Sequence, residues 1–358
     1  MKVFFKKFML FYIALALIVS PIELLAAQKK SQKRIHTSQK SSTVKQRVST
    51  RYRLKNGRTQ KVTFKSRSSR KLAAHRFTQA DYLAADNFDG SGILQLASTK
   101  ALIINQNTGE VIYAKNTNAP VPIASITKLM TAMVVLDSKL SLDDDLSISI
   151  EDVDYLKGTS SRLSVGAVLT RSDMLQLALM ASENRAASAI ARHYPGGKYA
   201  FIKAMNVKAL ELGLTNTHFV DSTGLDSNNV ATAEDLAKMV QAAYQYPEIR
   251  MATTSPSHEV YIGDRAYTVN FNNTNGLVRG GEWQIGLSKT GYTSEAGRCL
   301  VMQAKIAGEP MIIVLLDSNG KLTRIGDANR IRKWMEHHAE PKPTTTGDSE
   351  TVMSGTIS

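Results

Sequence analysis

Ser125-Ile126-Thr127-Lys128 places a hydroxyl and an amine three residues apart. On a helix, positions i and i+3 share one face, so a serine at the helix start can hold a lysine amine within hydrogen-bond reach. An amine whose pKa is depressed by burial or a neighbouring cation accepts the serine proton, and the positive end of the helix dipole favours the alkoxide. The chemistry within reach is nucleophilic attack by an activated hydroxyl. The spacing alone is a weak signal, because it recurs at Ser42/Lys45, Ser68/Lys71 and Ser318/Lys321. The first two pairs lie in a basic tract with little to fold around. The third falls at the end of a β-prone run, where i and i+3 point apart. Only Ser125/Lys128 heads an apolar run of helical period, carried by Ile126, Leu129, Met130, Met133 and Val134.

Two further groups could join it. Ser182-Glu183-Asn184 offers a hydroxyl and an amide side by side, at the end of a predicted helix over 174–181. Lys289-Thr290-Gly291 ends a predicted strand; its glycine admits a substrate backbone, while the lysine and threonine present a cation and a donor to a carboxylate. Read singly, Ser182 and Asn184 make a plain helix cap and Lys289 a surface lysine. Other chemistries find less support. No Gly-x-Ser-x-Gly elbow, phosphate-binding loop or His-Glu-x-x-His pattern occurs. The seven histidines are scattered apart from His337-His338, so nothing nominates a Ser-His-Asp triad or a metal site. The single cysteine, Cys299, excludes an internal disulfide framework and a Cys-based zinc site. No cofactor and no metal are expected.

The elements that must position these groups follow from periodicity. Residues 101–104 and 111–114 are β-prone runs around Asn107-Thr108-Gly109, a predicted hairpin. Thr170 with Asp173 and Thr232 with Asp235 read as capping boxes before helices over 174–181 and 236–244. A helix over 204–212 ends at Gly213. Strands follow over 259–262 and 267–271, around Gly263-Asp264-Arg265-Ala266, and then over 285–289, 298–305 and 311–316. Gly308-Glu309-Pro310 is the predicted turn between the last two, and residues 324–338 form a closing helix. Two strands, a helical middle, then strands and a helix predict an α+β fold with an antiparallel sheet built from both chain ends.

Net charge divides the 358 residues sharply. Residues 28–80 carry 17 Lys+Arg and no Asp or Glu, whereas residues 81–358 carry 25 basic and 30 acidic residues. The overall +14 is therefore a property of one segment and not of a nucleic-acid-binding domain. In front of it, Lys2, Lys6 and Lys7 precede the apolar run Phe8 to Val19, then Pro21 and the small residues Ala26 and Ala27, the plan of a secretory signal peptide. The expected organisation is a signal peptide over 1–27, a basic disordered linker over 28–90, a catalytic domain over 91–340 and a disordered polar tail over 341–358.

As an ordered triple, Ser125–Lys128, Ser182–Asn184 and Lys289–Gly291 resemble the signature motifs of the serine penicillin-binding proteins and β-lactamases. The flanking text over residues 124–131, Thr223-Gly224-Leu225, and Tyr292-Thr293 with Ala296-Gly297 is similar to the low-molecular-mass D-alanyl-D-alanine peptidases, and within them to murein DD-endopeptidases. The resemblance covers roughly residues 95–338. It implies a β-lactamase/DD-peptidase-like fold, with the antiparallel sheet flanked by a helical cluster. It implies Ser125 as acylated nucleophile, Lys128 as its base, and Ser182 with Asn184 relaying a proton to the leaving amine. Lys289 completes the electrostatic network, Thr290 and Gly291 receive the substrate, and the N–H groups of Ser125 and Tyr292 form an oxyanion hole. The implied partners are peptidoglycan stem peptides, with β-lactams as covalent inhibitors. The implied location is the periplasm, with the basic linker in weak contact with anionic envelope polymers and no nucleic acid involved. DD-endopeptidase activity is the first expectation and D-Ala-D-Ala carboxypeptidase activity the alternative. A β-lactamase is disfavoured because no Leu-Asn dipeptide is present, and a non-catalytic wall-binding protein because the polar motif positions are intact. The resemblance departs at Glu183, where glycine or aspartate is common, and in the polar tail, where many relatives carry an amphipathic anchor.

Overall fold

Residues 311–316 read Met-Ile-Ile-Val-Leu-Leu, an apolar run without alternation, which a strand satisfies only when both faces of its sheet are covered. The computed structural model, which describes residues 49–53, 59–63, 93–262 and 267–339, has this arrangement. Five strands, β1 (Lys100–Asn105), β2 (Val111–Lys115), β3 (Gln284–Thr293), β4 (Gly297–Ile306) and β5 (Glu309–Ser318), form one sheet in the order β3-β4-β5-β1-β2. Every pair is antiparallel, and β5 against β1 joins the two ends of the domain. Ile312, Val314 and Leu316 enter a core shared with the helices on one side. Met311, Ile313 and Leu315 enter a second core on the other, beneath the closing helix. The period of two along β5 thus distributes one apolar run between two layers.

Among the longer helices of the described residues, α1 (Lys128–Asp137), α2 (Arg171–Met180), α4 (Gly197–Glu211), α5 (Ala233–Ala243) and α7 (Thr323–His338) follow the predicted plan with shifted ends, and α3 (Asn184–Arg192) and α6 (Pro247–Thr254) stand between them. The spacing in α1 predicts one buried face, but all residues from Lys128 to Val135 are buried, so α1 is a central helix surrounded on every side. Thr170 and Thr232 do cap their helices, accepting the N–H groups of Asp173 and Asp235 at 3.0 and 3.1 Å. The acids do not return the bond to the cap backbone. Asp173 binds the Thr170 hydroxyl and His258, and Asp235 binds Asn216 and Thr217, so neither forms a full box. α4 starts seven residues before the predicted position because Gly196 and Gly197, both at positive φ, lead into it. α3 and α6 have no counterpart in the sequence reading.

One turn and one strand end differ from expectation. The β4–β5 link is Ala307-Gly308, at φ 50 and 87, the signature of a type I′ hairpin. Glu309 and Pro310 therefore belong to β5, Pro310 opposite Lys305, and the predicted turn starts one residue late and ends two residues late. Strand β3 continues through Lys289-Thr290-Gly291 to Thr293 rather than ending there.

The chain divides into two units, Met1–His75 and Arg76–Ser358. Within the first, Ser49–Arg53 pairs antiparallel with Thr59–Thr63. Composition predicts no strand in this basic tract. The local signal is the alternation of Thr50, Tyr52 and Val62 around Asn56-Gly57. The expected signal peptide, most of the linker, the link 263–266 and the polar tail lie outside the described residues.

Candidate active site

Ser125 sits on a single 3-10 turn, Ala124–Thr127, that leads into α1. Ala124 adopts φ 47, a left-handed conformation costing an alanine about 1 kcal/mol. Neighbours hold it there. Thr127 Oγ1 donates to the Ala124 carbonyl at 2.8 Å, and Ile123 N–H donates to the Asn229 carbonyl at 3.1 Å. Gly224, at φ 83, packs so closely that a Cβ there would stand 1.9 Å from the Ala124 oxygen. On the other flank, a Cβ on Gly291 would stand 3.1 Å from the Ser125 nitrogen, so β3 runs directly beside the turn. Both glycines serve close backbone approach.

Lys128 Nζ has three oxygen neighbours: Ser125 Oγ at 2.8 Å, Asn184 Oδ1 at 2.7 Å and the Thr223 carbonyl at 2.6 Å. The last two have no proton to give. A neutral amine that donates its two N–H bonds to them turns its lone pair toward the serine hydroxyl. Lys128 is 1% exposed. Burial brings its pKa down to about 7, while the carboxylates of Asp221 and Glu183 pull upward. Asp221 also shapes this pocket, accepting the N–H groups of Thr223, Gly224 and Asp226 at 2.5, 2.6 and 2.8 Å and so orienting the Thr223 carbonyl.

Ser182 follows α2 at φ 62, a position where helices usually place glycine. Its hydroxyl accepts from Lys289 Nζ at 2.9 Å. Lys289 is also 1% exposed, and burial together with the charges of Lys128 and Arg324 drives its pKa well below the ordinary lysine value. Glu183 turns its carboxylate to the Ser161 hydroxyl at 2.6 Å; burial pushes its pKa up, against that bond and the charges of Arg162 and Lys128. Thr290 Oγ1 donates to Thr274 Oγ1 at 2.7 Å. Tyr292 stands 59% exposed, with the Arg298 guanidinium 4.4 Å above its ring. Arg324, on α7, is buried and its Nη1 has no hydrogen-bond partner.

This geometry can activate a hydroxyl, and the relatives of the chain point the same way. The family model described as D-alanyl-D-alanine carboxypeptidase, peptidase S11, matches residues 87–320. The chain belongs to this family. S11 enzymes are serine peptidases, so the chain is a peptide hydrolase. It is 52% identical over 242 residues to a D-alanyl-D-alanine endopeptidase of Pseudomonas aeruginosa, covering 68% of this chain and 78% of the relative. It is 49% identical over 242 residues to the enzyme of that name from Escherichia coli, with the same coverage. The Streptomyces K15 DD-transpeptidase superposes with a TM-score of 0.63 at 30% identity, over 67% of this chain and 97% of that one. The α+β fold of an S11 peptidase, antiparallel sheet with flanking helices, is thus present.

The S11 fold brings the eight residues singled out by sequence to one place, five of them in two hydrogen-bonded groups. Ser125, Lys128 and Asn184 form the first; Ser182 and Lys289 form the second; Thr290, Gly291 and Tyr292 line the strand beside them. Sequence reasoning noted Thr223-Gly224-Leu225 only as text flanking the motifs, with no role for the Thr223 carbonyl, and missed Asp221, Thr159, Asp154 and Arg324. The bonds of Asp221 and Asp154 are local turn contacts, and the links that tie these loops to the site, Thr223 to Lys128 and Thr159 to Asn184, join residues far apart in sequence. Cys299 is buried, with its thiol pushed up to about 11 by burial, the mark of an unreactive cysteine. Among the described residues, no cluster of His, Cys, Asp or Glu could hold a metal, and no helix is long and apolar enough to cross a membrane.

Proposed function

We propose that Ser125 is the nucleophile of a DD-peptidase that cleaves D-Ala-containing peptide bonds of peptidoglycan, acting as a DD-endopeptidase on cross-links. The observation that carries this reading is the Lys128 amine: dry, near neutrality in pKa, and held by two proton-free acceptors so that its lone pair faces Ser125. Ser125 Oγ attacks the carbonyl carbon of the scissile bond as its proton passes to Lys128. The oxyanion is received by the N–H groups of Ser125 and Tyr292, a placement supported by the close approach of Gly291 to the turn. Collapse of the tetrahedral intermediate breaks the C–N bond, and the leaving amine takes a proton through Ser182, with Asn184 orienting the substrate. Water then hydrolyses the acyl-enzyme, releasing Ser125. Lys289, Thr290 and the unpartnered Nη1 of Arg324 are suited to the carboxylate next to the scissile bond.

In this reading β-lactams acylate Ser125 and leave slowly. The leader directs export to the periplasm, and the basic tract attracts anionic envelope polymers. The test is digestion of purified cross-linked muropeptides by the chain and by Ser125→Ala. Monomer release by the unaltered enzyme alone establishes the endopeptidase. Loss of terminal D-Ala without monomers makes it a carboxypeptidase, and equal activity from both proteins removes Ser125 from the chemistry.

A further inference from the structure

The amide of Asn184 has two ways to sit, and only one suits Lys128. With Oδ1 toward the amine it accepts an N–H; rotated by half a turn, its NH2 would donate into the amine lone pair and compete with the Ser125 hydroxyl. The other end of the amide touches the loop before α2, where Asn184 Nδ2 donates to Thr159 Oγ1 at 3.0 Å. Thr159 Oγ1 in turn donates to Asp154 Oδ2 at 2.7 Å. Asp154 also receives the N–H groups of Leu156, Lys157 and Thr159, each at 2.9 Å. Burial opposes its charge, but these hydrogen bonds outweigh it and hold the carboxyl below the usual carboxylate range. An ionised carboxylate only accepts. It therefore commits the single proton of Thr159 and leaves the threonine a lone pair for Asn184, which must then face it with nitrogen.

We infer that Thr159 and Asp154 are positioning residues that set the amide of Asn184, so that the lone pair of Lys128 is reserved for Ser125; the inference rests on the catalytic reading above. The chain of contacts runs Asp154, Thr159, Asn184, Lys128, Ser125, each step oriented by the one before. The charged groups facing Lys128 are Asp221 from the loop before α5, Glu183 from the α2–α3 link and Lys289 from β3. Thr159 is exposed and uncharged, so its replacement leaves all three in place and leaves the core intact.

The test is the rate of Ser125 acylation by a fluorescent penicillin between pH 5 and 9, for the full chain and for Thr159→Val, Thr159→Ser and Ser125→Ala. In Thr159→Val the freed amide turns its NH2 toward the amine. The plateau falls about tenfold, the scale of one net hydrogen bond. The acid limb also moves to lower pH, because the ammonium form has lost an acceptor while the neutral form has gained a donor. Thr159→Ser keeps the hydroxyl and stays within about twofold of the parent on the same argument. An unchanged rate in Thr159→Val, a fall without movement of the limb, or a Thr159→Ser variant as slow as Thr159→Val overturns the inference. Labelling of Ser125→Ala at the parental rate instead overturns the catalytic reading, so the two failures are distinct.

Discussion

Two lysines of this enzyme are equally buried and differ in what surrounds them. Lys128, on the helical side, has Asp221 and Glu183 for electrostatic neighbours, and these hold its pKa at about 7 against burial. Lys289, on β3, feels Lys128 and Arg324, which add to burial instead of opposing it. One residue type under one degree of burial thus acquires two characters. Lys128 is poised to take and return a proton near neutral pH. Lys289 is a depressed cation that an incoming carboxylate would restore to its charged form. Two fully charged ammonium groups in a dry site would repel, and a division of this kind lets both remain.

Removing each lysine is the most direct probe of that difference. Lys128→Met is expected to lower acylation about 10³-fold, as loss of a general base does, and to abolish the acid limb near pH 7. It should also stabilise the fold. A lysine held near pKa 7 in the folded state, against about 10.4 unfolded, is a burden below pH 7 that disappears as pH rises toward the unfolded value. The unfolding free energy of the parent should therefore gain about 2 kcal/mol on Lys128→Met between pH 7 and 9, measured by urea titration. Lys289→Met is expected to cost about 10²-fold in kcat/KM for carboxylate-bearing peptides. Its loss should weigh on KM, and a loss confined to kcat would give Lys289 the role assigned to Lys128.

The glycines on the two flanks of the Ser125 turn make a second pair. Gly224→Ala meets a backbone oxygen at 1.9 Å and a positive φ, and should destabilise the fold by about 3 kcal/mol. Gly291→Ala meets its neighbours at 3.0 to 3.1 Å and should lower acylation more than the melting temperature. Glu183→Gln is expected to have the smallest effect. It removes one of the two carboxylates supporting Lys128, so the acid limb should move to lower pH by less than about one unit, with the plateau within about threefold. A limb that moves upward would show that Glu183 does not act on Lys128 as a charge.

Legibility in the sequence followed the range of the interaction concerned. The 101–114 hairpin, the strands over 285–316 and the closing helix were readable because pattern and turn residues are local. The β4–β5 turn was misplaced because Pro310 looks like a turn residue, whereas Ala307 at φ 50 carries no sequence mark. α3 stayed hidden because α2 ends only four residues before it, and Ser182 stands at φ 62 where a glycine would have announced the break.

The ordered motifs Ser125–Lys128, Ser182–Asn184 and Lys289–Gly291 already specified the family, the layered α+β fold and the kind of chemistry, since residue type, order and period are properties of the chain itself. They implied Lys128 as the base and Lys289 as part of an electrostatic network, but not the surroundings that divide the two amines in character. That division depends on burial and on Asp221, Glu183 and Arg324, which reach the two amines only after folding. A pKa is set by the charges and solvent within a few ångströms, and in this molecule those neighbours arrive from elements far apart in sequence.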